Sequence, residues 1–373
     1  MRIEDFELER FFARYEFAVR HLLCASDVEG WPMADLLALA DAQSLALWQN
    51  LRLGYTEAPG HPLLRAEIAT LYERIEPDEV VVFNGAEEAI FVSANVLLGP
   101  GDHAIVVWPS YQSLHAVARA TGADVTLHEL RASEGWAIDP DALRLEVTPR
   151  TKLIVVNVPH NPTGAIPDAA TYWAISEIAA DAGATLLVDE VYRFLERVPA
   201  DRLTAGADLG PHAASVGVMS KSFALAGLRI GWLASHDARL LDAAVRLKDY
   251  TTICASAPAE VLSLIALRGR QAVLARSRGI VDANLALLDA FFERQAGRFT
   301  WARPAGGPVG YPELTAGVPI DRFAEELLAA EGVLLAPGSV FGHPGNHFRV
   351  GFGRRDLPVA LERLEAFAGR TLR

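Results

Sequence analysis

Short apolar runs bounded by Gly, Pro and Asp alternate with longer amphipathic stretches through the middle of the chain. Val80–Phe83, Ala104–Val107, Val125–Leu127, Leu153–Val156, Thr185–Val188, Val216–Met219 and Ile230–Ala234 read as strands. Gly85–Leu98, Ser113–Thr121 and Thr171–Asp181 read as helices between them. This alternation predicts an α/β fold around a mostly parallel sheet. Upstream, residues 1–23 read as an acidic helix, Asp35–Gln49 as one apolar-rich helix, Gly54–Pro62 as a turn-rich loop and Leu63–Arg74 as a helix.

The pattern changes after about Tyr250. Long helical stretches follow at Ala259–Leu267 and Gly279–Phe292, with another around Asp321–Glu331 and a last one at the end. Between them lie the runs Phe299–Arg303 and Phe348–Phe352 and a Gly/Pro-rich stretch at 304–312. The expected organisation is a large domain over 46–250 and a smaller α+β domain over 251–373. An N-terminal segment, 1–45, is expected to pack on the smaller one.

Composition narrows the function. The chain has 373 residues, 51% of them hydrophobic, and a net charge of −13, which argues against nonspecific binding to nucleic acid or an anionic membrane. The two cysteines, Cys24 and Cys254, stand far apart without C-x-x-C spacing, so neither a disulfide scaffold nor a zinc module is expected. Residues 1–20 carry Glu4, Asp5, Glu7 and Glu9 and lack the basic-then-apolar order of a leader. A cytoplasmic protein is expected, with no metal, no nucleic-acid partner and no membrane partner.

In an open α/β sheet, ligands bind beyond the carboxyl ends of the strands, so the polar residues that follow each apolar run are the candidates. Asn84-Gly85-Ala86-Glu87 is a glycine turn feeding a helix, either an anion site or an ordinary turn. Asn161 lies between two prolines in P-H-N-P-T-G, either presenting its amide to a ligand or shaping a turn. Asp189, with Tyr192 nearby, sits at a strand tip, where a carboxylate neutralises a cationic ring nitrogen or is simply solvated. Lys221 lies between apolar segments, where a desolvated lysine becomes a nucleophile for carbonyls; Arg229 follows as a charge for a phosphate. Arg349 lies inside F-R-V-G-F, where its planar fork suits a carboxylate or a buried ion pair. A Schiff-base lysine, an acid for a pyridinium, an anion site and a carboxylate-binding arginine make up the inventory for pyridoxal phosphate acting on an amino acid.

The motifs Y-T-E-A-P-G, G-A-E-E-A, N-P-T-G, D-E-V-Y, S-K-S-F-A-L-A-G-L-R-I-G and F-R-V-G-F occur in an order that resembles the fold-type I, class I/II aminotransferases, from about Gly54 to the end. The resemblance implies a sheet of the seven-stranded type and pyridoxal 5'-phosphate held by Lys221, which then moves the Cα proton. Asp189 would pair with the pyridine nitrogen. Asn161 and Tyr192 would bond the ring's phenolic oxygen, and Tyr111 would stack on the ring. Gly85, Ser220, Arg229 and the amides of Ala86 and Glu87 would hold the phosphate. Tyr55 would reach the phosphate of a neighbouring subunit in a homodimer. Arg349, with Asn161, would bind the substrate carboxylate, and Trp31 and residues 306–311 would lie near its side chain. Two positions depart from the family: Glu87 stands where a Ser or Thr is usual, and Val218 where a Ser often contacts phosphate. Glu87 is expected to point away and contribute only backbone. Asp27 and Glu29 either meet a cationic substrate side chain or are surface acids.

The implied reaction is transamination between an amino acid and a 2-oxo acid. The strings G-A-E-E-A-I-F and W-P-S-Y-Q-S-L are also similar to capreomycidine-synthase-like members, which cyclise instead, so a lyase or cyclase stays open, as does a non-catalytic pyridoxal-phosphate module. G-x-G-x-x-G, G-x-x-x-x-G-K-[ST] and H-E-x-x-H are all absent.

Overall fold

All seven apolar runs become strands of one sheet: β1 (Val80–Phe83), β2 (His103–Trp108), β3 (Asp124–Glu129), β4 (Thr151–Asn157), β5 (Thr185–Asp189), β6 (Ala213–Val218) and β7 (Gly231–Ser235). The computed structural model describes residues 2–372. The strand order is β1-β7-β6-β5-β4-β2-β3, with β7 alone antiparallel to its neighbours. The apolar runs are continuous because the sheet is covered on both faces. Along β4, Ile154 and Val156 enter one core, while Leu153 and Val155 enter the core on the opposite face.

The C-terminal elements form a separate core. It joins the helices Arg270–Arg294, Ile320–Glu331 and Leu357–Thr371 to the strand β8 (Phe348–Gly351), which pairs antiparallel with Val309–Gly310 and Ala336–Pro337. The helix Ala257–Arg268 packs instead with Leu64, Ile68, Val80 and Val82 in the core beside β1. The N-terminal segment bridges the two bodies. His21–Leu22 pairs parallel with Val333–Leu334, whereas Phe6, Phe11 and Phe12 pack on the core under β2 and β4.

Several expected helices change extent for identifiable reasons. Residues 1–23 hold only the helix Glu7–Tyr15, because His21 and Leu22 are taken into a strand. Asp35–Gln49 is two helices, Met33–Leu37 and Ala42–Gln49; Asp41 caps the second by accepting the amide of Ser44 at 2.7 Å. The helix expected to reach Arg74 ends at Ala69, and the buried carboxylate of Asp208 takes the amides of Glu73 and Arg74, both at 2.9 Å. Gly279 does not open a helix; it lies within the continuous Arg270–Arg294. Among the described residues no helix is long and apolar enough to cross a membrane.

Candidate active site

The carboxyl ends of β1, β2, β4, β5 and β6 point the same way, so the residues that follow them converge. A cavity of about 490 Å³ lies there, the size of a small-molecule site. Ala86, Glu87, Tyr111, Asn161, Asp189, Tyr192, Ser220, Lys221 and Arg229 all line it.

At one wall the helix Ala86–Leu97 begins. Its first amides have no partner within the helix. Gly85 turns into it at φ 89°, and a side chain there would strike the Arg229 guanidinium. Strand β7 comes so close that a Cβ on Gly231 would lie 2.5 Å from the Ala86 amide nitrogen. The result is a cation laid over a helix N-terminus, with Arg229 Nη1 also 3.3 Å from Ser220 Oγ. That arrangement suits a phosphate.

Asp189 ends β5 beside Asn157 of β4 and is buried. Desolvation pushes its carboxyl up to about 7, against the lowering effects of the Val191 amide and the Lys221 charge. A cation brought against it reverses that shift. Asn157 shapes the next turn: its Oδ1 accepts the Asn161 amide at 2.5 Å and its Nδ2 donates to the Asp189 carbonyl at 2.9 Å. Tyr192 is fully buried, and its hydroxyl makes no hydrogen bond among the described residues. Lys221 is half-buried; desolvation lowers its pKa, which the Asp27, Glu9 and Asp189 charges oppose and Arg349 reinforces. A buried unpartnered phenol, a buried acid, a lysine with a depressed pKa and a phosphate cradle around one cavity fit pyridoxal phosphate.

Arg349, 0% exposed on β8, lies behind this wall. It donates from Nη1 to Asn161 Oδ1 at 3.2 Å and from Nε to the Cys24 carbonyl at 3.1 Å, and its Nη2 has no partner. Among the described residues it pairs with no carboxylate, which rules out the ion-pair reading.

Two expected placements differ, those of Trp31 and of the stretch 306–311. Glu87 is at the cavity, with its carboxyl engaged by Ser113, which is off the cavity: Oε1 accepts from Ser113 Oγ at 2.5 Å, and burial raises its pKa. Trp31 is not on the cavity; it packs between two cores with the Arg276 guanidinium 4.9 Å from its ring. Gly306 and Gly307 back onto Pro159 and the Tyr192 ring instead of lining the cavity. Tyr55, 89% exposed, is outside its own chain's cavity.

The sequence reading missed the roof of the site. The helix Glu7–Tyr15 docks over Gln112, whose side chain takes the Glu7 amide at 2.9 Å and donates to the Asp5 carbonyl at 2.7 Å. This brings Phe6, Glu9, Phe12 and Glu16 to the cavity, joined by Ser26 and Asp27. Glu9 accepts from the Tyr111 hydroxyl at 3.0 Å, and Ser26 Oγ accepts from Lys221 Nζ at 2.8 Å. The one available signal was the pair of acids flagged at Asp27 and Glu29. Asp27 does line the cavity, while Glu29 lies off it, near Arg276 and Arg355.

Residues 23–364 match the family described as aminotransferase class I and II. Capreomycidine synthase of Streptomyces vinaceus is 31% identical over 356 residues, covering 94% of this chain and 88% of its own. A PLP-dependent aminotransferase structure from Streptococcus suis 89-1591 superposes with a TM-score of 0.93 at 30% identity, covering 99% of each chain. The structure of the PLP-dependent cyclase OrfR superposes with a TM-score of 0.90 at 30% identity, covering 100% of this chain and 98% of its own.

Proposed function

The chain belongs to the class I and II aminotransferases, enzymes that use pyridoxal 5'-phosphate, and from that premise we propose that it transaminates an amino acid with a 2-oxo acid. The observation that carries this reading is the convergence of Lys221, Asp189 and the Arg229-covered helix N-terminus on one cavity.

When bound, pyridoxal phosphate supplies the electron-withdrawing ring that makes a substrate's Cα proton acidic. Lys221 holds the cofactor covalently and, once released, carries the proton to and from Cα. Asp189 keeps the ring nitrogen protonated. Asn161 and the unpartnered Tyr192 hydroxyl bond the phenolic oxygen, and Tyr111 packs on the ring. Arg229, Ser220 and the amides of Ala86 and Glu87 hold the phosphate. The Glu87 carboxyl, tied to Ser113, adds no donor while ionised, so phosphate affinity rests on Arg229, Ser220, the amides and Tyr55.

Arg349 takes the substrate carboxylate with its free Nη2. Arg349→Ala is expected to weaken amino-acid binding by about 1.5–3 kcal/mol, as for a charged hydrogen bond. The check is KM together with the dissociation constant from a spectral titration; an unchanged affinity assigns the carboxylate to another group.

The side chain of the substrate is cationic. The Glu16 carboxylate lines the cavity with no hydrogen bond or ion pair among the described residues, and its pKa is raised by burial and then by the charge of Asp27. Glu9, also on the wall, adds to that repulsion. Arg354 already pairs with Asp27 and offsets part of it, and an ammonium or guanidinium placed beside Glu16 and Glu9 relieves the rest.

The active unit is a homodimer. Leu53, Tyr55, Tyr250 and Ile253 are exposed, and Thr56 Oγ1 donates to the Ala255 carbonyl at 3.3 Å, bringing the two segments that carry them together. From this patch Tyr55 reaches the partner's phosphate.

The test is an absorbance titration of the holoenzyme with a panel of amino acids, without 2-oxo acid. Transamination converts the cofactor to pyridoxamine phosphate and yields one equivalent of 2-oxo acid. Lysine, ornithine or arginine should outperform uncharged analogues of the same length. The likeness to OrfR and capreomycidine synthase supports a second reading, cyclisation or elimination, in which product accumulates while the cofactor returns unchanged.

A further inference from the structure

The ε-amine of Lys221 makes one hydrogen bond among the described residues, from Nζ to Ser26 Oγ at 2.8 Å. The two residues are 195 positions apart, and nothing local to Lys221 provides the contact. Ser26 is held on both sides. Before it, the Leu23 carbonyl accepts the Gly351 amide at 2.9 Å and the Cys24 carbonyl accepts Arg349 Nε at 3.1 Å. After it, Asp27 accepts Arg354 Nη2 at 2.8 and 3.0 Å, and the Glu29 amide donates to the Gly353 carbonyl at 2.9 Å. The arginine proposed to grip the substrate carboxylate and the amine proposed to act at the adjacent carbon are thus tied to one stretch of three residues.

Resting on the function proposed above, we propose that Ser26 is a positioning residue for Lys221, holding its ε-amine, whenever that amine is free, where it takes the proton from substrate Cα and returns it. A four-carbon amine arm has many rotamers, and a proton transfer needs one of them. The choice of a hydroxyl fits the task. An acid/base amine alternates between neutral and charged states, and Ser26 Oγ accepts an N–H from either. A carboxylate in contact would hold the amine protonated. Asp27, Glu9 and Asp189 contribute charge near Lys221, offset by Arg349, yet none of them is hydrogen-bonded to it. In the step itself the Cα proton moves to the Nζ lone pair, forming an ammonium, and the ammonium later gives it up. Ser26 accepts one N–H throughout and exchanges no proton.

Two measurements on Ser26→Ala and Ser26→Thr test this. The first follows deuterium from solvent into Cα of an amino acid turned over by the parent holoenzyme, beside kcat and KM. In Ser26→Ala, exchange and kcat should fall roughly 10- to 100-fold while KM stays within about threefold, as for a misplaced reacting group. Ser26→Thr, which keeps the hydroxyl, should recover most of the rate. The second measures labelling of Lys221 by an amine reagent against pH in cofactor-free protein, read by peptide mass spectrometry. Losing a bond that favours the ammonium lowers the lysine's pKa, so the Ser26→Ala labelling profile should shift to lower pH and Ser26→Thr should follow the parent. Parent-like exchange in Ser26→Ala, a threonine variant as slow as the alanine variant, or an unshifted labelling profile would each overturn the proposal. A parent that exchanges no Cα proton with any amino acid overturns the proposed function and this role with it, whereas the labelling profile still decides the Ser26–Lys221 contact.

Discussion

Lys221→Ala is expected to end both covalent cofactor attachment and turnover. The reason is positional. Lys221 is the lysine on the cavity wall, and the fully buried Lys248 is committed elsewhere, donating to the Ala58 carbonyl. Loss of a positioned acid–base group costs up to about 10⁴-fold, and here the covalent anchor goes as well, so the fall in rate should reach or pass that figure. Borohydride reduction followed by intact-mass measurement reads the anchor directly. Parent protein should gain the mass of one reduced cofactor per chain and the variant none; label retained on the variant would show that another amine holds the cofactor.

Asp189→Asn is the second large effect, and it has opposite signs for activity and for stability. In the holoenzyme, an amide cannot supply the negative charge that keeps the ring nitrogen protonated, and kcat/KM should drop roughly 10²- to 10³-fold, as when one preorganised electrostatic contact is removed. In cofactor-free protein the carboxylate is a liability. Burial raises the Asp189 carboxyl from 3.8 to about 7, so the folded chain binds this proton more tightly than the unfolded chain. Stability from this group is therefore full below about pH 4 and is lost as pH rises to about 7, by on the order of 4 kcal/mol. Asparagine carries no such proton. Urea unfolding of the cofactor-free proteins at pH 5 and pH 8 should show the variant gaining on the parent at the higher pH. An identical pH dependence in the two proteins would mean that the acid is not desolvated. Added cofactor should narrow the gap by bringing a cation to the parent's carboxylate.

The legible part of the site was the part that follows apolar runs. Asn161, Asp189 and Lys221 each follow a strand that its apolar run announces, and the carboxyl-edge rule then places them on one side of the sheet, whereas Arg229 precedes β7 and reaches that edge because β7 runs antiparallel. Arg349 was legible as an arginine in an apolar run but not as a free one. Only the folded chain shows that its neighbours are Asn161 and the Cys24 carbonyl and that no carboxylate reaches it. The partner of the Glu87 side chain was not legible, because Ser113, 26 residues on, captures it. The break at Asp41 was overlooked because an apolar stretch hides a helix cap, in which the amide and hydroxyl of Ser44 both donate to Asp41.

The sequence by itself determined the seven strands, their near-parallel sheet and the chemistry gathered at its carboxyl edge. These follow from local apolar pattern and turn residues, which report burial and chain direction. Only the tertiary structure decided what covers that edge. Glu9, Glu16 and Ser26 lie in an N-terminal stretch far from Lys221 in the chain. They reach the cavity because Gln112 docks the first helix and because His21–Leu22 pairs with Val333–Leu334. Contacts of that range are set by how separate bodies pack together, and no periodicity within either body encodes them.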